Sequence, residues 1–389
     1  MSSGFHQSQQ FLKTCGILFT KSQRQFSCIQ KNGRNVISCL RHQRSASPLV
    51  QLKRWKLSAP TVAIPAMSEL QNKDDLMSMP REAHQYRQYS VGETDGWLNI
   101  GQYNVFAWSV SGIESCIIVK SEDVQLAFDM GAAVVESVRA PNVFITHGHI
   151  DHVGAIANHI SKRELAGMKP ARYFVPPYMV QPLLSILRGH FEMAQTPELL
   201  ANVNIHEMVE GDTVRLNSRY FVKTFPTIHR ITSQGYIVYK EEKTLKREYR
   251  GKEGFEVAAL HRQGVEIHDL TITPEIAYCG DTVFDIFTNP PNPDLLKVKL
   301  LITEATYLDD HIGKNMIQKA KDFGHTHLLE IAQNPEIFKD VGHIILVHFS
   351  NKYSPKYIHD CVNGTLPAQL REKVTPAVVA KATTATTYF

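Results

Sequence analysis

The sequence predicts an α/β fold, on three observations. Short apolar, β-branched runs recur from residue 101 onward. Stretches with helical spacing separate several of them, notably 153–166 and 179–195. Run after run stops on a residue that binds metals or moves protons: His147, His229, Asp281, Glu304, His348. α/β sheets place their sites at the carboxyl ends of strands. One polar strand end is routine; five in order imply a shared pocket.

At 389 residues, with 43% hydrophobic and 21% charged residues, the chain has room for one large α/β domain and a leader. No run approaches the roughly 18 apolar residues of a transmembrane helix, so no membrane partner is expected. A net charge of +4 is too mild to argue for nucleic acid by itself. That charge is uneven. Residues 1–68 hold ten Lys/Arg and no Asp or Glu. Acid-poor, Arg- and Ser-rich amino termini characterise organelle transit peptides, and 1–68 is read as such a leader. The bland alternative is a basic arm that touches RNA. Residues 69–100 turn acidic and read as a spacer, 101–375 as the domain, and 376–389 as a tail. The six Cys contain no Cys-x-x-Cys pair and no disulfide framework. Cys116 and Cys279 lie in apolar runs, as small core residues do, and a reducing compartment is expected.

In order, 106–110 and 115–119 read as strands joined by a turn at Ser111-Gly112, and 124–131 as a third ending at Asp129. Asp129 is either a buttress of the next loop or a turn cap. The run 143–146 is a short buried strand, and it opens into Thr146-His147-Gly148-His149-Ile150-Asp151-His152. Three histidines and an aspartate within six residues supply the donors that suit Zn²⁺ and related ions. A tight loop aims His147 and His149 at one ion and Asp151 and His152 at a second. Strands follow at 172–175, 203–208, 213–216, 221–229 and 235–239. His229 is the first candidate for a fifth ligand.

Residues 240–266 are highly charged and read as an exposed excursion. They form either a solvated surface helix or an arm contacting a polyanion through Lys243, Lys246, Arg247, Arg250 and Lys252. Strands at 274–282, 299–306 and 344–350 end near Asp281, Glu304 and His348. Gly324-His325-Thr326-His327 opens a helix at 328–332.

The His-x-His-x-Asp-His loop, His229, Gly280-Asp281 and His348, in this order, resemble the metallo-β-lactamase superfamily. Thr303-Glu304-Ala305-Thr306, Gly324-His325-Thr326-His327 and His348-Phe349-Ser350-Asn351-Lys352-Tyr353 resemble, within it, the short, plant-type tRNase Z family of tRNA 3′-processing endoribonucleases. So do Ser233-Gln234-Gly235-Tyr236 and Gly264-Val265-Glu266-Ile267. The resemblance covers about 106–370. It implies an αββα sandwich, two mixed sheets face to face with helices outside. It implies two Zn²⁺ per subunit: His147, His149 and His229 on one, Asp151, His152 and His348 on the other, and Asp281 bridging. Asp151 is the implied base, and Glu304 with His325 the implied pair at the leaving oxygen. The implied substrate is precursor tRNA, gripped by the 240–266 arm through Lys243, Lys246 and Arg247, by a homodimer. Lys352 stands where the family has Arg; it keeps the charge but loses the bidentate fork to phosphate. The leader and the plant-type resemblance point to a plastid ahead of a mitochondrion. Cytoplasm or nucleus applies if the leader is not a transit peptide.

Two other readings use the same residues. A thioester or lactone hydrolase on this scaffold has no need of a Glu304–His325 pair or a basic arm. A metal-free nucleic-acid-binding relative has no need of an intact ligand set.

Overall fold

The computed structural model describes residues 96–309 and 315–385, with side chains through 383, and the backbone of 29–31 and 34–36. The chain divides into two compact units, 1–72 and 73–389. In the first, Ile29–Lys31 pairs antiparallel with Arg34–Val36. The rest of the expected leader, and the spacer up to residue 95, lie outside the described residues.

In the second unit, seven strands form a first sheet: β1 (Leu98–Ile100), β2 (Tyr103–Val110), β3 (Glu114–Lys120), β4 (Gln125–Phe128), β5 (Asn142–Phe144), β6 (Arg172–Val175) and β7 (Ile205–Glu207). Seven more form a second: β8 (Thr213–Arg215), β9 (Tyr220–Thr227), β10 (Ser233–Leu245), β11 (His268–Tyr278), β12 (Leu300–Glu304), β13 (His343–Val347) and β14 (Val374–Pro376). Each sheet follows chain order. The first four strands of each pair antiparallel and the rest parallel.

Three buried clusters show why the layers stack. Val105, Ile117, Phe128 and Phe144 of the first sheet face Val222, Tyr236, Tyr278 and Ile345 of the second. The opposite face of the first sheet (Cys116, Ile118, Val143, Tyr173) packs on helices α2 (Ile156–Leu165) and α3 (Val180–Met193). The opposite face of the second (Ile237, Ala277, Leu301, Ile344) packs on α6 (Leu328–Gln333) and α7 (Pro355–Thr365). Successive side chains on a strand point to opposite faces, so strands covered on both sides read as continuous apolar runs. The order is helix, sheet, sheet, helix, as the resemblance implied. Cys116 and Cys279 are fully buried in it.

Three segments differ from expectation. The helix expected at 153–166 is split at Gly154 into a single turn, α1 (Ile150–Val153), and α2. The charged run at 240–245 continues β10 instead of forming a surface helix. It pairs with 268–273, and the helical part of the excursion is α4 (Gly254–Arg262) at the tip. Residues expected as a tail carry α8 (Val379–Ala385), with Ala380 and Lys381 buried and Lys381 Nζ donating to the Ser350 carbonyl at 3.0 Å. α5 (Met316–Asp322) precedes Gly324-His325. No helix among the described residues is long and apolar enough to cross a membrane.

Candidate metal centre

The polar strand ends converge on one edge of the sandwich. β5 runs into the loop bearing His147 and His149, and α1 carries Asp151 and His152. β9 stops two residues before His229, and β11 three before Asp281. β12 ends at Glu304, and β13 one residue before His348. One sheet therefore supplies the His-x-His-x-Asp-His loop and the other supplies the remaining groups. The turns are tight. His348 holds a left-handed φ of 61° and Asp129 one of 57°, conformations that non-glycine residues adopt at a cost of about 1–3 kcal/mol. At Gly280, φ is 59° and a Cβ would come within 2.7 Å of the Thr146 side chain, so only glycine fits before Asp281.

The ligand atoms of His147, His149, His229 and Asp281 lie within 4.8 Å of one another, as do those of Asp151, His152 and His348. Asp281 stands between the groups: Oδ2 is 3.4 Å from His152 Nε2 and 3.9 Å from His147 Nε2, and Oδ1 is 3.4 Å from His348 Nε2. His325 forms a third group with Asp281 and His348.

Four of the five histidines turn Nδ1 outward to a fixed partner and Nε2 inward. His147 Nδ1 meets Thr146 Oγ1 at 2.9 Å, and His152 Nδ1 meets Asp129 Oδ2 at 2.7 Å. His229 Nδ1 meets the Gly324 carbonyl at 2.8 Å, and His348 Nδ1 meets Thr306 Oγ1 at 3.0 Å. His149 presents Nδ1 instead, 2.9 Å from His147 Nε2 and 3.2 Å from His229 Nε2. Holding one ring nitrogen fixes the tautomer and aims the other, as metal-binding histidines require.

The cluster fits cations on two further counts. Asp129, Asp151, Asp281 and Glu304 are buried here among imidazoles, and the His/Asp groups form a donor set that suits a divalent cation. Asp281 Oδ1 is buried with no hydrogen-bond partner among the described residues. Burial, together with nearby His152, pulls the His147 imidazole down to about 2, leaving a neutral ring with a lone pair to give. Burial opposes ionisation of Asp281, but His348 and His152 outweigh it and hold the carboxyl well below the usual range.

Glu304 and His325 form a separate device. Glu304 Oε1 accepts from Thr282 N at 2.8 Å and meets His325 Nδ1 at 2.9 Å. Its Oε2 accepts from Thr306 Oγ1. Burial lowers the His325 pKa, but the Glu304 charge and hydrogen bond outweigh it and raise it to about 9. The His325 ring is thus held by a carboxylate through Nδ1, which also lies 4.0 Å from Asp281 Oδ2.

The expected substrate-binding residues are scattered. Lys352 lies near the site, with Nζ 2.8 Å from Asp309 Oδ2 and 5.9 Å from the centre of the Tyr307 ring, itself edge-on to His325. Lys243, Lys246 and Arg247 lie at the far end of β10, and Lys246 pairs with Glu266 at 3.8 Å. At about 3.3 Å per residue, Lys243 is roughly 30 Å along the strand from Ser233, whose neighbour Gln234 hydrogen-bonds Thr146. Of the two readings open for Asp129, the structure has the buttress: it accepts from Thr146 N at 2.8 Å and from Tyr278 OH at 2.8 Å as well as meeting His152. Sequence reasoning passed over Gly112, whose N–H donates to Asp151 Oδ2 at 2.9 Å, and Ser109, whose Oγ accepts from His348 N. A backbone donor has no residue-type signature; only the glycine at a hairpin turn hinted at it.

This four-layer sandwich of two mixed seven-stranded sheets, with a His/Asp cluster at one edge, is a metallo-β-lactamase fold. The chain is 37% identical over 277 residues to tRNase Z TRZ1 of Arabidopsis thaliana, covering 71% of this chain and 95% of that protein. It is 33% identical over 298 residues to the chloroplastic tRNase Z TRZ2 of the same plant, covering 77% and 80%. The chain belongs to the tRNase Z family of endoribonucleases. Among solved structures, human tRNase Z, short form, aligns with a TM-score of 0.44 at 19% identity, over 70% of this chain and 95% of that one. No protein-family model matches the chain.

Proposed function

We propose that this chain removes 3′ trailers from precursor tRNA, leaving a 3′-hydroxyl on the tRNA and a 5′-phosphate on the trailer. The observation that carries the reading is the Glu304–His325 pair set against Asp281. A cluster that only activates water for a small ester has no need of it. His147, His149 and His229 would hold one Zn²⁺, Asp151, His152 and His348 the other, and Asp281 would reach both. When bound, the two ions supply Lewis acidity at the scissile phosphate and acidify the attacking water. Asp151, held by Gly112 N, takes that water's proton as its oxygen bonds to phosphorus. Glu304 orients His325 through Nδ1, leaving Nε2 to protonate the ribose 3′-oxygen as the phosphorus–oxygen bond breaks.

The length of the β10–β11 ribbon supports a substrate of tRNA size. Lys243, Lys246, Arg247 and Lys352 are the residues assigned to its phosphates. The chain would act as a homodimer, one subunit's ribbon gripping the tRNA bound at the other, and in a plastid, in keeping with the basic leader and the chloroplastic relative.

The test is Asp151→Ala assayed on a 3′-extended pre-tRNA. Cleavage falls by about 10²–10⁴-fold while RNA affinity by gel shift stays within a few-fold. Cleavage at the unmodified rate would sink the mechanism.

A further inference from the structure

We propose that Phe323 and Arg230 form a stacking platform for the nucleobase beside the scissile bond. This deepens the reading above and rests on it. Phe323 is a large aromatic side chain left 43% exposed where α5 ends, directly before Gly324-His325. Arg230, also exposed, directly follows His229. The guanidinium carbon lies 5.8 Å from the centre of the Phe323 ring, within cation–π range. Ile228, on the other side of His229, is 50% exposed.

A single exposed apolar residue on a protein surface needs no explanation. Here three exposed side chains sit on the two segments that carry His229 and His325, whose rings are 5.2 Å apart. The segments are locked together. Gly324 accepts from His229 through its carbonyl, and a Cβ there would come within 2.7 Å of His229 Nδ1 and 3.0 Å of Arg230 N. The platform therefore has a fixed position relative to the proton donor. Every nucleobase offers a π face to an aromatic ring, and a guanidinium beside it meets the adjoining phosphate. A single-stranded nucleotide at a cut site has its faces free. Stacking would bring the ribose 3′-oxygen to a constant place under His325, whatever the base.

The experiment compares Phe323→Ala, Phe323→Trp and the unmodified enzyme on three RNAs: a 3′-extended pre-tRNA, and the same RNA with an abasic ribose on the 5′ or on the 3′ side of the cut. Phe323→Ala is expected to raise KM on the order of ten-fold, with metal content unchanged, and Phe323→Trp to restore it. One abasic RNA should cost the unmodified enzyme as much and cost Phe323→Ala nothing more. Independent, multiplying losses, or indifference to both abasic RNAs, would overturn the platform while leaving the nuclease reading intact. No cleavage of the intact pre-tRNA would overturn both.

Discussion

Asp129 supports the cluster from behind the His147–His152 loop. Its two oxygens receive Thr146 N–H, Thr146 Oγ1 and Tyr278 OH and meet His152 Nδ1. It thereby joins the end of β4, the start of the ligand loop and the end of β11, one residue in contact with both sheets. Burial disfavours the His152 imidazolium, but Asp281 and Asp129 outweigh it and raise its pKa well above the usual value. Asp129→Asn keeps the shape but places an amide N–H₂ where one of these donors now points. The loss expected is about 10–100-fold in metal affinity, measured by competition with a chelator, with the far-ultraviolet circular dichroism unchanged. Affinity equal to the parent's would reduce Asp129 to a turn cap.

At the scale of elements, what was legible and what was not divide along one line. β3, β5, β12 and β13 are apolar because both faces are covered, and they could be read from composition. The outer halves of β10 and β11, 240–245 and 268–273, could not, because they set no apolar face against a core. Glu242, Lys243 and Thr244 are strand residues because Thr271, Leu270 and Asp269 pair with them. Nor could α8, whose Ala/Thr composition carries no amphipathic stripe and whose order comes from docking. That docking has a consequence for the site. Lys381 Nζ binds the Ser350 carbonyl, Ser111 N binds the Phe349 carbonyl, and Ser109 Oγ binds His348 N, so the left-handed turn at His348 is held from three sides. Lys381→Met keeps the buried stem but leaves that carbonyl without this donor. We expect a cost of about 1–3 kcal/mol, read as a drop of several degrees in Tm, with weaker metal retention. An unchanged Tm and metal content would make α8 an ornament of the fold.

For the whole molecule, the sandwich explains why distant motifs form one site. Two sheets of the same plan meet face to face, and the ends of β5, β9, β11, β12 and β13 reach the same edge. The polar strand ends that gather at this edge were legible because a hydrophobic run that stops on His, Asp or Glu is conspicuous. The supporting contacts were less so, because Gly112 N, Gly324 O and Ser109 Oγ act through backbone or common hydroxyls that mark nothing in a sequence. The ribbon places its basic residues roughly 30 Å from Ser233 and the cluster edge, a span that a small substrate cannot bridge and a folded RNA can. The central claim is therefore an RNA cut, driven by bound metal, at one phosphodiester. The most direct measurement is incubation of a 3′-extended pre-tRNA with the enzyme as isolated, after chelation, and after zinc is restored, followed by mapping of both new ends. The account predicts one cut at the trailer junction with a 3′-hydroxyl upstream and a 5′-phosphate downstream, lost on chelation and recovered with zinc. A 2′,3′-cyclic phosphate upstream, or cleavage that survives chelation, would contradict it.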